Sequence, residues 1–76
     1  MYERIICDPE ILGGKPVIKE TRISVEMILE WMASGATAPE IVAEYDQLTL
    51  EDIQQALQYA AASIQGNVVL QVKIAS

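Results

Sequence analysis

Lys15, Lys19 and Arg22 are three of the chain's five basic residues, and all fall in the stretch GGKPVIKETRI, residues 13–23. A glycine pair followed by lysine suggests a phosphate site. The spacing rejects the best-known one. A P-loop needs G-x-x-x-x-G-K followed by Ser or Thr, so that backbone amides cradle phosphate and a hydroxyl reaches Mg²⁺. Counting back from Gly14 and Lys15, the first glycine position is Pro9, and the hydroxyl position is Pro16. What remains is a cationic turn. Its charges are either simply solvated or aimed at an acidic target such as nucleic-acid phosphate.

Other chemistry is thinly supplied. The chain has no histidine, so no Ser-His or Cys-His pair exists. Cys7 is the only cysteine, which excludes an internal disulfide and a thiol-rich zinc site. Glu26/Glu30 and Glu40/Glu44 are carboxylate pairs at helical spacing, a pattern that normally marks a solvated face. No catalytic, metal-binding or cofactor-binding residue is therefore expected, and the chain reads as a non-enzyme. Gln54, Gln55 and Gln58 have side chains able to read base edges. Glu51 and Asp52 precede them, however, and carboxylates repel phosphate. Met27 and Trp31, four residues apart, suit either a core or an anchor for a partner.

The elements that must position these residues follow from pattern. Short β-prone runs, RIIC, PVI and RISV, share the first third with Pro9 and Pro16. PVI and RISV flank a three-residue polar connection and predict a hairpin. The period turns helical at Ser24, a fitting N-cap, with Val25, Ile28, Leu29 and Met32 on one face and Gly35 as the stop. Thr37 and Glu40 predict a capping box for a second, short helix with Ile41, Val42 and Tyr45 on its apolar side. Thr49 and Asp52 repeat the arrangement before a third helix marked by Leu50, Ile53, Leu57, Ala60, Ala61 and Ile64, ending at Gly66-Asn67. The three helices should run about 11, 8 and 16 residues. Residues 67–76 alternate as a C-terminal strand, pairing within the chain or with another subunit. The expected fold is mainly α: a three-helix, helix-turn-helix bundle with a small N-terminal β element and a C-terminal β-strand, in one domain spanning residues 1–76.

Charge divides sharply along the chain. Residues 1–22 balance four acids against four bases, whereas residues 23–72 hold seven acids and no base, and the net charge is −6. Such a surface suits a basic protein better than nucleic acid. The hydrophobic fraction, 51% in 76 residues, exceeds what a small interior holds and predicts a homodimer or a partner. The apolar runs are too short to span a bilayer, and the acidic N-terminus does not resemble a signal peptide, so a cytoplasmic protein is expected.

DPEILGGKPVIKETRISVEMILEWMASG followed by EIVAEYDQLTLEDIQQALQYAA resembles the domain of unknown function 433 family, over about residues 4–62. The resemblance implies a homeodomain-like three-helix fold. It also implies an antitoxin that neutralises a PIN-like ribonuclease toxin, with a DNA-binding autorepressor as the alternative. Gly14, Lys15, Pro16, Thr21 and Arg22 carry over as motif positions. Lys15, Lys19, Thr21 and Arg22 are then the expected contacts to toxin or operator DNA. An arginine among them would suit the carboxylate-rich metal pocket of such a nuclease. Glu20 stands where the family often has glycine; a left-handed backbone there would cost about 1–2 kcal/mol.

Overall fold

The computed structural model describes residues 2–67. Two strands, β1 (Ile5–Cys7) and β2 (Pro16–Ile18), pair antiparallel with Ile5 opposite Ile18, Ile6 opposite Val17 and Cys7 opposite Pro16. Three helices follow: α1 (Val25–Ala33), α2 (Ala38–Glu44) and α3 (Leu50–Asn67). The chain is thus mainly helical with a small N-terminal sheet, as the pattern predicts. The helices are 9, 7 and 18 residues long, so the first two are shorter than expected and the third longer. The expected C-terminal strand lies outside the described residues, apart from Asn67, which closes α3.

One strand pairing differs from expectation. PVI pairs mainly with IIC near the N-terminus, and RISV contributes only a single bridge, Ser24 opposite Val17. The turn joining PVI to RISV does close: the Thr21 amide donates to the Ile18 carbonyl at 3.0 Å, and the Ile18 amide to the Ile23 carbonyl at 2.9 Å. RISV cannot continue as a strand because the Ser24 hydroxyl already caps α1, accepting from the Met27 amide at 3.0 Å.

The helix caps are the predicted ones. Thr37 and Glu40 form a full capping box, each side chain bonding the other's backbone amide. Thr49 and Asp52 do the same at the start of α3. Gly35, at φ 108°, ends α1: its own amide reaches the Met32 carbonyl and the Ala36 amide the Trp31 carbonyl. That pair of bonds requires the left-handed residue glycine supplies without steric cost.

The core is aliphatic. Ile18 and Ile23 from the β region, Val25 and Ile28 from α1, Ile41 from α2, Leu48 from the following loop, and Ile53 and Ala56 from α3 form one buried cluster. Each fully buried isoleucine, such as Ile18 or Ile28, contributes about 1.5–3 kcal/mol by leaving water. The buried stripe of α3 is rotated from the expected one. Ile53 faces the core as predicted, but Leu50, Leu57 and Ile64 are 57%, 38% and 50% exposed, and the inward positions include Asp52 and Ala56.

Candidate functional site

The cationic stretch is built by a left-handed turn. A short 3₁₀ turn at Leu12–Gly14 precedes β2, with Gly13 at φ 66° and Gly14 at φ 90°. With Leu12 at φ 50°, three successive residues are left-handed, and glycine meets the last two without steric cost. The amides there point inward: Gly14 donates to the Ile11 carbonyl at 3.0 Å and Lys15 to the Leu12 carbonyl at 3.4 Å. A strand follows Lys15 rather than a helix N-terminus, so the backbone offers none of the donors of a P-loop.

The four expected contact residues separate into different situations. Lys15 pairs with Glu26 at 3.0 Å, and both side chains are well exposed, so the pair is readily exchanged for another partner. Thr21 is buried; its hydroxyl donates to the Ile18 carbonyl at 2.8 Å and accepts from the Ile23 amide at 3.0 Å. It holds the turn and shows only a small edge in the recess that Arg22 lines. Lys19 and Arg22 are exposed and form no ion pair among the described residues. Between them Glu20 adopts φ 67°, the left-handed conformation that its family position suggested. Arg22 lines a shallow recess with Ile11, Glu20 and Gln47, beside the loop that leads into α3.

The glutamines divide as well. Gln54 and Gln58 are exposed on α3. Gln55 is half-buried: its oxygen accepts from the Arg4 amide at 2.8 Å, and its amide group donates to Glu51 at 3.2 Å.

Sequence reasoning missed Arg4 altogether. Its Nε donates to Asp52 Oδ1 at 2.7 Å, with the Asp52 side chain fully buried and that of Arg4 31% exposed. The other Asp52 oxygen accepts from the Thr49 amide at 2.9 Å. The hydrogen bond to Asp52, and then its charge, raise the Arg4 pKa further above its usual value. Asp52 therefore faces inward and is neutralised, which leaves Glu51 as the exposed carboxylate of the first turn of α3. Near the other end of β1, the Cys7 thiol lies 3.9 Å from the Tyr59 hydroxyl and raises that phenol's pKa, while Tyr2 packs edge-on against Tyr59.

Met27 and Trp31 line different hollows. Met27 lines a hollow with Leu12, Lys15 and Glu30. Trp31 packs partly against the core and stacks on Tyr45, with ring centroids 4.6 Å apart and planes 8° from parallel. The stacked rings border a recess between the end of α1 and α2, with a volume of about 390 Å³, and Glu40 and Glu44 stand on its rim. In Glu40, Oε1 accepts from the Thr37 amide at 2.8 Å and the Thr37 hydroxyl at 3.1 Å. Those bonds, the backbone one first, lower the Glu40 pKa below its ordinary value.

Residues 5–60 match the family model described as a protein of unknown function, DUF433. The chain belongs to the DUF433 family. A crystal structure of a DUF433 member protein from Anabaena variabilis, at 2.00 Å resolution, is similar to it, with a TM-score of 0.77 and 32% sequence identity over 83% of this chain. The match spans 62% of that protein's chain, so the DUF433 relative is the longer molecule. No curated protein matches this DUF433 chain. Among the described residues, no helix is long and apolar enough to cross a membrane.

Proposed function

We propose that this chain is an antitoxin-like interaction protein that binds a basic ribonuclease of the PIN-like class and covers its RNA-binding surface. The observation that carries this reading is the segregation of charge on the folded surface. Glu26, Glu30, Glu40, Glu44, Asp46 and Glu51 are all exposed, and no lysine or arginine lies among residues 23–67. An enzyme that handles RNA presents a basic face, and an acidic protein meets it with complementary potential and fast, steered association. Arg22 and Lys19, the exposed cations free of ion pairs among the described residues, supply a second contact suited to the carboxylates of a nuclease metal pocket.

The autorepressor reading draws on Lys19 and Arg22 beside the entry to α3, together with exposed Gln54 and Gln58. Glu20 and Glu51 stand in the same region, and α3 carries no positive charge. Few phosphates would be neutralised by the chain alone, which makes the protein-binding reading the better supported. Self-association belongs to the proposal too. The exposed face of α3 carries Leu50, Leu57 and Ile64 at seven-residue intervals, and residues 53–67 contain no charged residue. Interface centres are depleted of charge in this way.

Co-expression with the product of the neighbouring gene tests the proposal. A complex should co-elute on size exclusion, and adding the chain should suppress the partner's RNA cleavage. Separate elution with undiminished cleavage would overturn it. The same column, with light scattering, reports whether the chain alone is a dimer.

A further inference from the structure

We propose that the recess between the C-terminal end of α1 and helix α2 binds a lysine or arginine side chain presented by a basic protein partner. This assignment rests on the reading above that the partner is a basic protein, and it names the chemistry of one contact. Trp31 and Tyr45 give the recess an aromatic wall. An aromatic face attracts a cation through its quadrupole, most strongly for tryptophan. Carboxylates stand on the rim. Glu40 Oε1 is occupied by Thr37, whereas its Oε2 and both oxygens of Glu44 accept no hydrogen bond among the described residues. The turn that ends α1 also lines the recess through Ser34 and Ala36. A helix C-terminus carries partial negative charge and is stabilised by a nearby cation. Neither α1 nor α2 has a basic residue in its last turn to supply one.

Aromatic wall, free carboxylates and helix end all select positive charge. Among the described residues, no lysine or arginine lines the recess. Lys15 and Arg22 line other hollows, and Arg4 is paired with Asp52. The occupant proposed is a cation from another molecule, in keeping with the basic partner. A guanidinium or an ammonium on an aliphatic stem suits a recess with an aromatic wall and carboxylates on its rim, the stem meeting the rings and the charge the carboxylates.

Trp31 is the chain's only tryptophan, so its emission reports directly on the recess. The full chain is titrated at low salt with a short arginine-rich peptide and with a Gly-Ser peptide of equal length. The arginine peptide is expected to change Trp31 emission saturably and the neutral peptide to leave it unchanged. Glu44→Lys is expected to weaken the response about tenfold or more by replacing attraction with repulsion, with circular dichroism and melting temperature preserved. Equal curves for wild type and Glu44→Lys, or equal responses to the two peptides, would overturn the assignment. Peptide binding without a ribonuclease complex would leave the recess standing and sink the proposed function. A ribonuclease complex undiminished by Glu44→Lys would do the reverse.

Discussion

Asp52→Asn isolates the contact that ties the N-terminal strand to α3. Asp52 has no exposed side-chain surface and accepts two hydrogen bonds, from Arg4 Nε at 2.7 Å and from the Thr49 amide at 2.9 Å. Asparagine keeps the shape but has one acceptor oxygen. That oxygen can serve Thr49 or Arg4, and the new amide group then confronts a donor. The loss is one charge-assisted hydrogen bond, worth about 1.5–3 kcal/mol, with the new amide group buried against a donor. We expect a destabilisation of about 2–3 kcal/mol at neutral pH. A domain of this size is stable by about 4–11 kcal/mol in all, so the variant should lose a large fraction of its margin. In urea, with a slope near 1 kcal/mol per molar for a small domain, the midpoint should fall by about 2–3 M. Arg4→Met should also destabilise, by stranding the Asp52 carboxylate. Combined with Asp52→Asn it should cost less than the sum of the two, because the introduced asparagine no longer faces the guanidinium donor. A midpoint within about 0.5 M of wild type, or strict additivity in the cycle, would refute the account of Asp52 as a buried, paired charge.

Two further outcomes follow from backbone and cap geometry. Glu20→Gly should stabilise the chain by about 0.5–1 kcal/mol, since relief of the left-handed backbone at φ 67° outweighs the entropy glycine brings to the unfolded chain; a lower melting temperature would contradict this. Because the Glu40 pKa is lowered on folding, its contribution is present above the ordinary carboxylate range and lost as pH falls through the folded value. The stability gap between wild type and Glu40→Gln should therefore be widest near neutral pH and close in acid. A gap that widened as denaturation was repeated at falling pH would contradict the assigned bond.

The helices were legible because their signals are local. Ser24, Thr37 with Glu40, and Thr49 with Asp52 announce each start within four residues, and Gly35 announces a stop. The sheet was less legible, because two candidate partners flanked PVI and pairing depends on which of them α1 leaves free. The cap already formed by Ser24 decided it. The Arg4–Asp52 pair could not be read at all: its members are 48 residues apart, and Asp52 looked like an ordinary first-turn acid. One sign was available. Asp52 lies four residues before Ala56 on the stripe that includes Ile53, so it sits on the inward side of α3. Of the candidate site, the exposed cations Lys19 and Arg22 were visible in sequence. The Trp31–Tyr45 recess was not, since it needs α1 and α2 brought together around Gly35.

The reach of Arg4 across the chain bears on how the protein emerges from the ribosome. Its two partners on α3, Asp52 and Gln55, lie 48 and 51 residues downstream. At a synthesis rate of about 5–20 residues per second, the N-terminal strand waits roughly 2–10 s for them. During that interval β1 and β2 can meet, being close in sequence, but the face that α3 covers stays open. Any nascent fragment ending before Thr49 lacks both α3 partners of Arg4, so the synthesis of α3 decides when β1 gains its side-chain anchor.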